Sequence, residues 1–190
     1  MGDKSSIQWT DATWNPATGC TKVSPGCTHC YAETVAERFW PTQYGGVETL
    51  VGEGTDAARA HRPRRFSDVW THAERLDQPL RWKRPRRIFV NSMSDLFHEA
   101  VPDEFIDRVF AVMALCPQHI FQVLTKRPER MREYLGSHPG EQAGVRDRIR
   151  VALQQIVGGA VAVTWPLWNV WQGVSVENQQ YMERARRLLT

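Results

Sequence analysis

Arg87-Ile88-Phe89-Val90-Asn91-Ser92-Met93-Ser94-Asp95 decides the fold: an apolar run of strand length breaks at once into polar residues. The same change recurs twice downstream. Ile120-Phe121-Gln122-Val123-Leu124 leads into Thr125-Lys126-Arg127-Pro128, and Asn169 to Val174 leads into Ser175-Val176-Glu177-Asn178. Amphipathic stretches separate these runs. Pro102 suits the first helical position and Asp103 and Glu104 the positive first turn, while Phe105, Ile106, Val109, Phe110 and Met113 share one face. Helices are also predicted over Pro128 to Leu135, over Val145 to Val157, and from Asn178 toward Leu189. Upstream, Ser5 to Cys20 reads as a short strand and a loop. Thr28 to Phe39 reads as a helix whose Ala32, Val35, Ala36 and Phe39 lie on one side, stopped by Pro41. Residues 41 to 66 carry Gly45-Gly46, Gly52 and Gly54 with no sustained period, an irregular excursion. Short buried strands alternating with such helices imply an α/β chain with a parallel sheet of βαβ units. Polar residues gather just past each strand's C-terminal end, where open sheets and barrels bind their ligands.

Composition narrows the class. The chain has 190 residues, 42% apolar and 24% charged, enough for one core and one domain spanning 1–190. No run approaches the ~18 apolar residues of a membrane span, and no apolar stretch follows Met1-Gly2-Asp3-Lys4-Ser5 as in a secretory signal, so a cytoplasmic protein is expected. A net charge of +3 is too small to announce a nucleic-acid binder. Eight Trp residues are many for this length; Trp165, Trp168 and Trp171 read as packing residues.

Three of the four cysteines crowd together as Cys20-x6-Cys27-x2-Cys30. Clustered thiols in a cytosolic chain bind metal more often than they pair. Three soft ligands from one short segment suit zinc or an iron–sulfur cluster, and uncoordinated thiols remain a third reading. A structural zinc needs a fourth ligand, yet His29 adjoins Cys30 and Cys116 belongs to the apolar face of Val109 and Met113. Three thiolates on an iron–sulfur cluster leave one iron open, as catalysis requires.

The motifs resemble a known family. They are Trp9-Thr10-Asp11-Ala12-Thr13-Trp14-Asn15-Pro16, the three cysteines with Tyr31-Ala32-Glu33, Asn91-Ser92-Met93-Ser94-Asp95-Leu96-Phe97-His98, Leu124-Thr125-Lys126-Arg127-Pro128 and Trp171-Gln172-Gly173-Val174-Ser175-Val176-Glu177-Asn178. Together they are similar to the phage-associated family named after phage gene products thirty-seven and sixty-eight, also described as three-Cys-motif proteins. That family looks like a divergent branch of the radical S-adenosylmethionine (SAM) enzymes, near the spore-photoproduct-lyase type. The resemblance implies a partial parallel (βα) barrel of radical SAM type, truncated after about four βα units and lacking a C-terminal portion. It implies that Cys20, Cys27 and Cys30 hold a 4Fe-4S cluster whose open iron takes the amino and carboxylate groups of SAM. His29 would sit beside the adenine, Ser92, Ser94 and Asp95 near the amino group, and Lys126, Glu177 and Asn178 near the ribose and carboxylate. An electron donor such as flavodoxin or ferredoxin would start reductive cleavage of SAM to a 5′-deoxyadenosyl radical. A nucleic-acid or nucleotide-derived substrate is the favoured expectation. The alternatives are a non-catalytic metal-binding module working with a three-Cys-motif partner protein, and a structural zinc protein.

Other residues admit plainer readings. Asp95 serves equally as a cap for the next segment, His98-Glu99 as an exposed turn, and Cys116 as a small buried hydrophobe. Lys126-Arg127 at a strand end reads as an anion-binding pair or as solvated charge. Arg62, Arg64 and Arg65 form one basic group; Arg81, Lys83, Arg84, Arg86 and Arg87 form another around Trp82, a pattern compatible with nucleic-acid contact.

Overall fold

A computed structural model describes residues 5, 7–40, 65–136 and 139–187. Most of the irregular excursion, with Arg62 and Arg64, lies outside the described residues. Among the described residues there are six strands: β1 (Ala12–Trp14), β2 (Ala17–Thr18), β3 (Trp70–Thr71), β4 (Arg87–Val90), β5 (Ile120–Thr125) and β6 (Val170–Val174). The helices are α1 (Tyr31–Phe39), α2 (Asp103–Leu115), α3 (Pro128–Leu135), α4 (Pro139–Val157) and the single turn α5 (Glu183–Arg186). Short 3-10 turns cover Pro25–Cys27, Ala73–Arg75, Gln78–Arg81 and Gln179–Tyr181.

The predicted parallel sheet forms. Its order is β1-β4-β5-β6, every pair parallel, with β2 and β3 making a small antiparallel pair beside it. Neighbouring strands follow chain order, without the reversal that marks a doubly wound sheet. Barrel closure is not seen among the described residues. α2 begins at the Asp-Glu pair after Pro102, as the sequence predicts, while α4 starts earlier than expected and the C-terminal helix is one turn long.

Among the described residues one face of the sheet is buried and the other is only partly covered. Ile88, Val90, Phe121 and Val123 alternate toward α2 and α4, and with Phe105, Ile106, Val109, Phe110, Met113, Ile149 and Leu153 they build the main core. Trp14 and Cys116 are fully buried in it. Burial pushes the Cys116 thiol up to about 11, as befits an inert small hydrophobe. Asn169, just before β6, donates from Nδ2 to the carbonyls of Met113, Cys116 and His119 at 3.0–3.3 Å, pinning the turn after α2. Tyr134 of α3 donates to Asp107 Oδ1 of α2 at 2.6 Å, and Arg148 of α4 reaches the same oxygen at 3.3 Å, locking three helices together.

On the other face, register aligns Thr13, Phe89, Gln122 and Trp171. Trp9 covers part of it, its ring 4.8 Å from Phe89 edge-on. Trp171 is 55% exposed and Trp168 69% exposed. The packing role expected for the three C-terminal tryptophans therefore holds for Trp165, which rests on Phe110 at 5.7 Å, and fails for the other two. Among the described residues no second layer covers Trp171, where a parallel sheet is normally covered on both faces. Phe39 likewise points to solvent, leaving Ala32 and Ala36 as the buried side of α1.

Candidate functional site at the strand ends

The polar segments after β1, β4, β5 and β6 meet at one edge of the sheet, and the cysteine loop is tied across it. Asn91 leaves β4 with φ 59°, a left-handed turn that asparagine tolerates, and accepts from Ala17 N through Oδ1. Asn15 Oδ1 accepts from the Ser92 hydroxyl at 3.2 Å and from Met93 N at 2.9 Å. The Ser94 hydroxyl donates to Ala17 O, and Gly19 N donates to Met93 O, both at 3.0 Å. Ser92 and Ser94 thus bind the chain entering the loop to the end of β4. Tyr31, at the start of α1, donates its hydroxyl to Ser92 O at 3.0 Å and closes the loop's other end.

Asp95 and Arg127 form the centre. Asp95 Oδ1 accepts from Thr125 Oγ1 at 2.7 Å and Phe97 N at 3.0 Å; Oδ2 accepts from Lys126 N at 3.0 Å and Arg127 Nη1 at 3.3 Å. The cap reading of Asp95 is therefore correct for Phe97 and covers a quarter of its contacts. Arg127 also donates from Nε to Glu99 at 3.0 Å and from Nη2 to Thr21 O and Oγ1 at 3.1 and 2.9 Å. Its Nη1 lies 3.6 Å from Cys20 Sγ. Of the Lys126-Arg127 pair, the arginine is the buried hub, whereas the family resemblance points to the lysine. Thr21 was missed altogether; no local pattern marks a threonine that receives a guanidinium from so far along the chain.

His98 is buried, against the exposed-turn reading. Ala100 N donates to its Nδ1, so the neutral ring carries its proton on Nε2 and donates to Thr21 Oγ1 at 2.9 Å. Burial, reinforced by the Arg127 charge, lowers the His98 pKa and favours that neutral form.

The loop's second tether is Glu177. Ser24 Oγ donates to Glu177 Oε1 at 2.7 Å, Arg184 Nη1 donates to Oε2 at 2.7 Å, and Lys126 Nζ stands 3.6 Å from Oε1. Partial burial opposes ionisation of this carboxyl, but the Ser24 hydroxyl and the two cations outweigh it and hold Glu177 below the ordinary carboxylate range. Asn178 accepts from Gln180 N at 3.0 Å and caps the following turn, and His29 is exposed on the loop.

All three loop cysteines are free and half-buried. Burial pushes the Cys20 thiol up to about 11 despite Arg127 beside it. At Cys27, burial is weaker than the hydrogen bonds from the Val23 backbone and Ser24, helped by Lys126, and the thiol falls below its usual value. Three unpaired thiols on one tethered loop, next to cations, fit an iron–sulfur cluster in donor type and number. They do not converge: among the described residues no group of three or more His, Cys, Asp or Glu side chains is arranged to hold a metal.

Gly26 permits the Glu177 tether. A Cβ there would lie 2.3 Å from Glu177 Cγ. Gly26→Ala is expected to displace Glu177 and free Ser24 at a cost of about 1–2 kcal/mol, because the Glu177–Arg184 pair it disturbs is largely buried, the side chains 19% and 9% exposed. Faster alkylation of Cys27 by iodoacetamide, well below the variant's melting temperature, is the expected result; wild-type alkylation kinetics would show that the tether does not hold the loop.

The second basic group lies away from this edge. Its residues precede or begin β4, at the opposite end of the strand. Trp82 is buried, with Arg86 stacked on it at 5.0 Å, so the interleaved aromatic belongs to the core and is closed to a base. Among the described residues no helix is long and apolar enough to cross a membrane.

No curated protein and no solved structure matches the chain. One family model spans nearly all of it, residues 4–190, and the chain accordingly belongs to the family described as protein of unknown function (DUF5131).

Proposed function

We propose that this chain is an iron–sulfur protein of radical SAM type, with Cys20, Cys27 and Cys30 as cluster ligands and a nucleic-acid or nucleotide-derived substrate. The observation that carries the reading is a loop of three unpaired thiols tied by Arg127 and Glu177 across the C-terminal ends of parallel strands. The chain-ordered strands support a partial (βα) barrel, and the reading includes a cytoplasmic location and an electron donor of flavodoxin or ferredoxin type. Cys20, Cys27 and Cys30 would hold the cluster, which would supply the electron for reductive cleavage of SAM and so for hydrogen abstraction from the substrate. The protein's own residues orient and shield. Arg127 braces the loop at Cys20 and Thr21, and Asp95 fixes Arg127 by meeting it in a buried pair. Lys126 offers an ammonium for the SAM carboxylate, its contact with Glu177 being long enough at 3.6 Å to exchange. His29 on the exposed side of the loop is the candidate neighbour of the adenine.

Anaerobic reconstitution with iron and sulfide tests this directly. The expected product binds roughly four iron and four sulfide per chain, shows a broad visible absorbance, and loses both when Cys27 becomes alanine. Stoichiometric zinc with no iron uptake would replace the radical reading with a structural zinc protein. The exposed Trp171 on β6 and Trp168 just before that strand favour one second reading, a non-catalytic metal-binding module that docks a three-Cys-motif partner there. A reconstituted cluster that yields no 5′-deoxyadenosine from SAM and dithionite would select it.

A further inference from the structure

A cavity of about 480 Å³ opens beside Val23 of the cysteine loop, between the residues that follow β5 and those that follow β6. This volume lies within the range of small-molecule sites. Five cationic side chains line it against three carboxylates, Glu99, Glu129 and Glu183. The cations are of two kinds. Arg127 and Arg184 are fixed: Arg127 is engaged by Asp95, Glu99 and Thr21, and Arg184 by Ser175 O and Glu177, with its guanidinium 4.4 Å above the Tyr181 ring. Both are already matched by carboxylates and frame the cavity. Lys126, Arg130 and Arg187 are partly exposed: the lysine stands 3.6 Å from Glu177, which Ser24 and Arg184 already hold, while exposed Asp103 pairs with Arg130 and exposed Glu129 and Glu183 with Arg187. The side chains of Asp103, Glu129 and Glu183 are 44%, 57% and 55% exposed, and such pairs are worth little and exchange readily.

From this arrangement we infer that the cavity binds the phosphate of a nucleotide or of a polynucleotide strand. Opened from their present partners, Lys126, Arg130 and Arg187 offer three charges to one ligand, more than a carboxylate with a single charge and two oxygens satisfies. A phosphate group offers more oxygens, and the two mobile guanidinium forks match it in bidentate fashion. The inference rests on the nucleic-acid part of the function proposed above and gives its substrate a point of attachment next to the thiols. It also moves that contact away from the Arg81–Arg87 group, whose tryptophan is buried.

Fluorescence anisotropy with a labelled single-stranded oligonucleotide, titrated with salt, tests the assignment. The proteins are wild type, Arg130→Gln/Arg187→Gln, and Lys83→Gln/Arg84→Gln as a control at the opposite strand end. Wild type and control are expected to bind alike. The cavity variant is expected to lose about 1.4 from the log–log salt slope and roughly 25-fold in affinity at 0.1 M salt, as two lost phosphate contacts imply. All four positions are at least partly exposed, and unchanged melting temperatures check that each variant folds. Wild-type binding by the cavity variant, with loss in the Lys83/Arg84 variant, overturns the cavity and leaves a nucleic-acid substrate standing. If wild type binds no oligonucleotide, that substrate fails, and pyrophosphate titration decides the cavity separately. Pyrophosphate binding that needs Arg130 and Arg187 upholds a free-nucleotide site; no pyrophosphate binding overturns it.

Discussion

Replacing Asp95 by alanine is expected to cost about 3–5 kcal/mol of unfolding free energy, the loss that follows when one partner of a buried ion pair is removed. Both partners are nearly inaccessible, each side chain 8% exposed. The carboxylate meets four donors from three directions: Phe97 N ahead of it, Thr125 Oγ1 and Lys126 N at the end of β5, and the Arg127 guanidinium. Alanine leaves Arg127 with exposed Glu99 as its remaining carboxylate partner and orphans the other three donors. Asparagine does little better, since every group around the carboxylate donates and an amide NH2 has nothing to give to. The loss should appear as a lower denaturant midpoint with an unchanged slope. Adding Arg127→Met to Asp95→Ala should recover part of it, because the second change removes the stranded charge. An Asp95→Ala protein within about 1 kcal/mol of wild type would show that the pair is not what fixes the loop.

That pair also marks the limit of what the sequence discloses. The strands at 87–90, 120–125 and 170–174 and the helix after Pro102 are legible because each is encoded locally, in apolar runs and helix-start chemistry. The convergence of polar strand ends follows from topology: parallel strands put all their C-terminal ends on one edge. Partner choice within that edge does not follow. Asp95 and Arg127 are 32 residues apart, and Ser24 and Glu177 are 153 apart. Nothing near Lys126-Arg127 tells which side chain turns inward, since both are cations flanked by the same strand end. The exposure of Trp168 and Trp171 was illegible for another reason. A strand residue is buried or bare according to the layer above it, and alternation along the strand says nothing of whether that layer exists.

Gly19→Ala should be comparably damaging, at about 2–5 kcal/mol, through backbone geometry alone. Gly19 has φ +90°, a conformation that an L side chain strains to adopt, and its missing Cβ leaves room for the chain at 66–68. An added methyl would lie 2.2 Å from Asp68 O and 2.9 Å from Phe66 O. Both obstacles are main-chain carbonyls, which cannot rotate away as a side chain does. The contact matters because the next residue is Cys20, whose N–H donates to Phe66 O at 2.8 Å, and because Gly19 itself pairs with Ser94 beside β4. Relief of the clash must therefore push the 66–68 segment off the loop or pull Cys20 from Arg127. The contrast with Gly26→Ala separates the two effects: there the obstacle is the Glu177 side chain, and only the outer tether is lost. Thermal and urea unfolding of the two variants should differ by at least about 1 kcal/mol, with Gly19→Ala the weaker. Cys20 should become more reactive toward iodoacetamide in Gly19→Ala and remain protected in Gly26→Ala. Equal stabilities, with Cys20 protected in both, would mean that the loop entrance yields without disturbing the thiol it positions.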